Sequence, residues 1–287
     1  MYLRQFQIMT LVKTVIRATV PRDLRNWLRS PLRSIEYLWD STKFSFGVTE
    51  TLRLLPDWSI VCHPYAHRVG YDAQVSDPEQ VEEFRSFVSH CRGGVLLFDI
   101  GAHFGIFSLA AAHFGGRAIA VDPSPIAARM IGIQAALNGC TNDIQIVRAA
   151  VSEVDGALDL LSSGVFSAGY FKVARGRPTS ELTSTPAMTV DQMTHRFGAP
   201  THIKIDVEGH ETAVLRGARA TLSQFSPILF LELHNEMVAS AGDDPNAALK
   251  VLAQLRYATF TPSGDAIDTS AILARPIIRI VAKHRAG

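Results

Sequence analysis

Asp99 closes the apolar run Val95-Leu96-Leu97-Phe98 and opens the turn Ile100-Gly101-Ala102-His103-Phe104-Gly105, which leads into a helical stretch. Some twenty residues on, a second apolar run, Ala118 to Val121, ends in Asp122. A strand, a glycine turn, a helix and a second strand ending in an acid form a unit that holds adenosine-bearing cofactors. The glycines let the backbone approach the ligand, and the second acid accepts hydrogen bonds from ribose hydroxyls. A dinucleotide pyrophosphate needs G-x-G-x-x-G, with bare amides at the helix start. Here the spacing is Gly101-x-x-x-Gly105, and His103 stands where the second glycine would be. An acid just before the turn also repels a pyrophosphate, whereas it suits the ammonium and sulfonium of S-adenosylmethionine. Asp99, Gly101, His103, Gly105 and Asp122 are therefore the candidate cofactor residues.

A second constellation lies downstream. Ile203-Lys204-Ile205-Asp206-Val207-Glu208-Gly209-His210-Glu211 reads as a strand running into a helix, and Phe230-Leu231-Glu232-Leu233-His234 as another strand end. Ligands of open α/β sheets sit beyond the carboxyl ends of the strands, so Asp99, Asp122, Asp206, Glu208, Glu232 and His234 fall near one sheet edge. That many acids together cost stability unless charge partners or protonation relieve them, which marks a candidate site. Methyl transfer from a sulfonium is an in-line displacement, and a neutral alcohol acceptor also needs a base. Asp206 is the first candidate for that position, as base or as ligand of the acceptor hydroxyl. Glu208 either assists or holds the local turn. His234 has an intrinsic pKa suited to proton removal at neutral pH, although a histidine after a strand is often structural. Glu211 reads as a helix-dipole residue and Lys204 as a charge partner for Asp206. Asp206, Glu208 and Glu232 could offer oxygens to Mg²⁺, but no His/carboxylate spacing supports a metal and none is assigned. Asn138, before Gly139, reads as a helix-end residue that could reach the adenine side.

Three blocks, FDIGAHFGIFSL (98–109), IKIDVEGHETAVLRGA (203–218) and LFLELH (229–234), resemble the FkbM-type S-adenosylmethionine-dependent methyltransferases. The resemblance covers residues 95 to 235, and K-x-D-x-E-G-x-E with L-R-G-A downstream is its most specific part. It implies a class I methyltransferase fold and transfer to a hydroxyl oxygen, often on sugars or polyketide-like metabolites. His103 departs from the pattern, which usually has asparagine there. The alternatives are a cofactor-binding relative acting as a non-catalytic partner, or a methyltransferase on nitrogen or nucleic acid. Asp206-Val207-Glu208-Gly209 is not the N/D-P-P-Y/W loop of base-methylating enzymes.

To position these residues the chain requires an α/β fold, a doubly wound, mostly parallel seven-stranded Rossmann-like sheet. Strands are predicted at Val95–Asp99, Arg117–Val121, Ile144–Val151, His202–Val207 and Ile228–His234. Helices are predicted at Phe104–Phe114, Pro125–Leu137, Glu211–Gln224 and Asn246–Leu255, with terminal strands at Thr259–Phe260 and Ile277–Val281 as an antiparallel edge. Runs apolar on both faces fit a sheet covered by helices. Between the third and fourth strands, an insertion from Gly156 to Gly198 holds a hairpin (Leu158–Leu161, Gly169–Val173) and a polar loop, Arg175 to Pro186. The catalytic domain is expected over 93–287, after a helical and short-strand extension over 1–92. In that extension, short strands are predicted at Trp58–Cys62 and Ala66–Tyr71, and a helix capped by Asp77 runs to about Cys91.

Residues 1–43 carry eight basic residues against Asp23, Glu36 and Asp40. Leu24, Trp27, Leu28, Leu32, Ile35, Leu38 and Trp39 recur at helical spacing within this basic extension. Pro21 opens one helix, and Ser30-Pro31 reads as cap and first residue of another. The stripe is read first as a lid packed on the catalytic domain, and second as a peripheral contact with an anionic membrane. The net charge of +1 gives no overall drive toward nucleic acid. The resemblance implies a small-molecule or glycan hydroxyl acceptor as partner, and the oligomeric state is open. Cys62, Cys91 and Cys140 fit neither a disulfide framework nor a zinc site and read as buried thiols in a cytoplasmic protein. No secretory signal is visible, since Lys13 and Arg17 interrupt the first apolar stretch.

Overall fold

The computed structural model describes residues 22–91, 94–162, 171–173 and 182–285 of the 287. Its centre is a seven-stranded sheet in the order β12-β13-β11-β10-β3-β4-β5. The strands are β3 (Leu96–Ile100), β4 (Arg117–Val121), β5 (Ile144–Val147), β10 (His202–Ile205), β11 (Ile228–Leu233), β12 (Tyr257–Phe260) and β13 (Ile278–His284). β13 runs antiparallel to both β11 and β12, and the remaining pairings are parallel. This is the expected doubly wound α/β fold with its antiparallel edge. Strand alternation sends Leu97, Ala118 and Phe230 to one face and Phe98, Ile119, Ile203, Leu229 and Leu231 to the other.

The first face is covered by the helices Ile106–His113 and Pro125–Leu137 over β3, β4 and β5, and by elements upstream of β3 beyond them. The hairpin of β1 (Glu50–Leu55) and β2 (Trp58–Cys62) and the helix Pro78–His90 share one apolar core with the sheet. Phe87 lies edge-on to Phe107 at 5.1 Å and to Phe230 at 5.3 Å between ring centroids. Asp77 caps that helix as expected, accepting from the amides of Glu79 and Gln80. Ala66–Tyr71 is not the predicted strand. Its apolar residues sit in a short helix, Pro64–Ala66, continued by a π-helical turn, His67–Tyr71. Cys62, Cys91 and Cys140 are free and buried, as expected of packing thiols.

Three other expectations change. Ile144–Val151 is two strands, because the chain leaves the large sheet after Val147 and β6 (Ala150–Val151) enters another. That four-stranded sheet, β6-β9-β7-β8, adds β7 (Gly156–Ser162), β8 (Phe171–Val173) and β9 (Leu182–Met188). The hairpin of the insertion is real, since β7 pairs antiparallel with β8. The end of the expected loop is a strand, while 174–181 lies outside the described residues. The predicted helix Glu211–Gln224 breaks into Glu211–Arg216 and Arg219–Phe225. The break falls at Gly217, where a Cβ would stand 2.1 Å from the carbonyl oxygen of Ser152, so the L-R-G-A glycine serves close backbone approach to β6.

The helix Arg22–Ser45 is continuous through Pro31, where two helices were expected. Pro31 omits one i→i−4 hydrogen bond, a local cost in a helix interior, and the turns on both sides carry the helix on. Pro21 lies outside the described residues. Of the expected apolar stripe, Ile35, Leu38 and Trp39 face solvent, and the side that packs on the protein instead carries Glu36, Tyr37 and Asp40. Among the described residues, no helix is long and apolar enough to cross a membrane.

Candidate active site

A cavity of about 270 Å³ opens at the carboxyl ends of β3, β4 and β10. The turn after β3 lies between the ends of β4 and β10, because β3 is hydrogen-bonded between these two strands. It presents Gly101 and His103 to the cavity, with Asp122 from the end of β4 and Asp206, Val207 and Glu208 from the end of β10. Ile100, Val121, Val151 and Leu160 give it apolar walls, and Val69 and Gly70 reach it from the π-helical turn.

Asp122 is fixed by its own backbone surroundings. Its two carboxylate oxygens accept the amides of Ser124 at 2.8 Å and His103 at 2.9 Å. A carboxylate has about four acceptor positions, so further hydroxyls find lone pairs there. Burial pushes its pKa up to about 7, against the pull of those two amides. His103 holds a left-handed backbone conformation, φ +50°, and its ring stacks on Phe104 at 3.8 Å. The next residues are braced by the N-terminal segment, since the Tyr71 hydroxyl donates to the carbonyl of Phe104 at 2.6 Å.

Asp99 and Gly105, expected at the cofactor, do not line the cavity. Asp99 sits behind the turn, 2% exposed, and its Oδ2 accepts from the Ser108 hydroxyl at 2.6 Å and the Ser108 amide at 3.1 Å. Burial raises its pKa to about 6, partly offset by those bonds. It ties the strand to the helix Ile106–His113. Gly105 opens that helix at φ +76°, and a Cβ there would meet Ile131 at 3.2 Å, so helix packing accounts for it.

The second acidic wall is built around His234, 3% exposed at the end of β11. Its Nδ1 lies 2.8 Å from Glu211 Oε1, which also accepts the amide of Gly209 at 2.9 Å. The other ring nitrogen, Nε2, faces Glu232 at 3.7 Å, Glu208 at 3.8 Å and Asp206 at 4.0 Å. Burial alone would lower the histidine's pKa, but the hydrogen bond and charge of Glu211, joined by Asp206 and Glu208, raise it to about 9. His234 is thus an imidazolium at neutral pH. Enclosure by protein raises the pKa of Asp206, while Lys204 and His234 pull it down. Glu208, like His103, has a positive φ, +52°, a strain of the kind that gathers at functional sites.

Lys204 does not pair directly with Asp206. It donates to Glu83 at 2.8 Å, an ion pair in which both side chains are under 5% exposed. Arg279 on β13 donates to Glu232 at 2.8 Å and approaches Glu83 at 3.5 Å. Sequence reasoning missed Arg279 and Glu83 as members of this network. The available signal was a lone arginine inside the otherwise apolar strand Ile277-Ile278-Arg279-Ile280-Val281. It also missed the task of Glu211, which orients the histidine. Asn138 does not reach the cavity: its amide spans Val61, accepting at 3.0 Å and donating at 2.9 Å, and so ties a helix end to β2. Oxygens of Asp206 and Glu232 and a nitrogen of His234 lie within 4.8 Å of one another. The cations against them come from the chain itself, as Arg279 and the imidazolium.

The family model described as Methyltransferase FkbM domain matches residues 99–260, more than half of the chain. The protein belongs to the FkbM methyltransferase family. Its domain takes S-adenosylmethionine as cofactor, and the donor set fits: an acid with spare acceptor positions at Asp122, and an acidic wall suited to a cationic ligand. Over 85 residues the chain is 33% identical to the ribosomal protein L11 methyltransferase of Pelotomaculum thermopropionicum, a stretch covering 29% of this chain and 28% of that protein. The solved FkbM methyltransferase from Methylobacillus flagellatus KT is 16% identical, with a TM-score of 0.45, over 67% of this chain and 44% of its own. An O-methyltransferase from Bacillus cereus, solved with SAH, is 11% identical, with a TM-score of 0.45, over 96% and 97% of the two chains. The chain thus spans less than half the length of the first two of these relatives.

Proposed function

We propose that the protein is an S-adenosylmethionine-dependent O-methyltransferase whose acceptor is a hydroxyl of a sugar, glycan or small metabolite. The observation that carries this reading is the pair Asp206 and Glu208 at the cavity, backed by an imidazolium that Glu211 holds in place. The cofactor, when bound, supplies a methyl group on a sulfonium that is already a good leaving group. The chain therefore has to align the acceptor and take its proton.

Asp206 is the residue assigned to the proton. A carboxylate whose pKa is raised by enclosure is a stronger base than one in water, and the cations Lys204 and His234 pull against that rise. His234 is not the base in this scheme. As an imidazolium it balances the charge of Asp206, Glu208 and Glu232, and Glu211 fixes the ring so that Nε2 points at them. Glu208 takes a hydrogen bond from the acceptor, and Asp122 binds the ribose. An acceptor nitrogen that is already neutral and nucleophilic would need no base, so the elevated carboxylate favours a hydroxyl.

The test is a labelled-methyl assay of the full chain against extracted glycans and metabolites from the source cells, read by mass shift and fragmentation. A labelled ether product supports the reading. Label on nitrogen or nucleic acid overturns the acceptor class, and cofactor binding without any labelled product overturns catalysis.

A further inference from the structure

The helix Arg22–Ser45 is held to the protein by its polar side. Arg68 reaches Glu36 at 3.0 Å and Asp40 at 2.7 Å, and the ring of Tyr37 meets Tyr65 edge-on at 5.2 Å. The apolar side is turned outward. Ile35 is 54% exposed, Leu38 57% and Trp39 44%, and Phe46 just beyond the helix is 83% exposed. The 3.6-residue repeat carries the same arc back through positions Leu24, Trp27, Leu28, Pro31 and Leu32. An apolar stripe of this length on a soluble helix ordinarily faces the core. Here the anchoring ion pairs direct it away.

Charge identifies what covers it. The helix holds Arg22, Arg25, Arg29, Arg33 and Lys43 against Asp23, Glu36 and Asp40, and two of those three acids are turned inward onto Arg68. The helical repeat places Arg25 and Lys43 beside the apolar arc, while Arg29 falls in register between Glu36 and Asp40. Lys43 stands over the Trp39 ring at 5.7 Å and shares Asp40 with Arg68, at 3.1 Å, so the charge left over on the helix is that of its arginines. A second copy docked along the same arc would bring these cationic borders together. A layer of anionic headgroups meets them with opposite charge and takes the tryptophan at the polar boundary. We propose that this helix lies flat in the surface of an anionic membrane, with the arc of Ile35, Leu38 and Trp39 in the acyl boundary. Arg68, which pins the helix, directly precedes Val69 and Gly70 of the cavity wall.

The experiment is flotation of the full-length protein with neutral phosphatidylcholine vesicles and with vesicles containing phosphatidylglycerol, at low and high salt. Binding is expected on the anionic vesicles only, reduced at least tenfold by high salt. The double replacement Leu38→Ser with Trp39→Ser, and separately Arg25→Glu, should each lower it at least tenfold. Cofactor affinity and thermal midpoint should stay unchanged, since these positions lie outside the cavity. No flotation on anionic vesicles overturns the proposal, as does equal binding by wild type and both variants. Light scattering that shows a dimer, lost in the serine variant and without vesicle binding, assigns the arc to a second copy and also overturns it.

Discussion

Gly101 stands so close to Asp206 that a Cβ on the glycine would lie 1.8 Å from the aspartate's carbonyl oxygen. The contact joins the turn after β3 to the end of β10, where the Asp206 amide also donates to the carbonyl of Ile100 at 3.0 Å. The glycine at the middle of the cofactor motif is thus required by the neighbouring strand as well as by any ligand.

Gly101→Ala is therefore expected to lose on the order of 3 kcal/mol or more, adding a backbone clash to the cost of φ +78°. For a chain of this size that is a drop of at least about 6 °C in Tm. Gly115→Ala is the control: its φ is +81° with nothing within 4 Å, so only the conformational cost of about 1–2 kcal/mol applies. Paired thermal melts check the ranking.

Asp206→Asn and Asp122→Asn should separate chemistry from cofactor binding. Asp206→Asn is expected to cut kcat by about 10²–10⁴ with little change in S-adenosylmethionine affinity. Asp122→Asn should weaken the affinity, seen by titration calorimetry. The reverse ranking would mean that the two carboxylates exchange roles.

The pH dependence of activity follows from the imidazolium. His234 lowers the pKa of Asp206, so His234→Gln lets that pKa rise and leaves more of Asp206 protonated at a given pH. The acid limb of kcat should move to higher pH in this variant. If the rate in wild type instead grew as His234 lost its proton near pH 9, the histidine would be the base.

Stability carries a separate signature of the same pair. An imidazole whose pKa is raised from 6.5 to about 9 stabilises the fold fully below about pH 6.5, and that contribution disappears as pH rises through about 9. Glu211→Gln removes the main partner, so the fall in Tm between those pH values should be smaller than in wild type.

The buried ion pair of Lys204 and Glu83 predicts an asymmetric response. Glu83→Gln leaves the ammonium without its direct partner and should cost about 3–5 kcal/mol. Replacing both, with Lys204→Met and Glu83→Leu, should recover much of that loss in chemical denaturation, because neither charge then remains uncompensated.

The places of most strands along the chain and the acids at their ends follow from local pattern, whereas the order of the strands in the sheet is set by tertiary pairing. Apolar runs closed by Asp99, Asp122 and Asp206 mark strand ends, and the glycines between them mark tight turns. The residues alone thus specify the class of fold, the motif glycines and the set of acids at the strand ends. They do not separate Asp99, which braces a helix through Ser108, from Asp122, which lines the cavity, because both have the same sequence signature. The partner of Lys204 is 121 residues away, and that of His234 is 23 residues away on another element. Which charge neutralises which is a matter of packing, because Coulomb energy depends on distance and burial in space and not on separation along the chain. The same reason explains the outward stripe of the N-terminal helix. Periodicity shows that the helix has an apolar side, and only Arg68, placed by the fold against Glu36 and Asp40, decides which way that side faces.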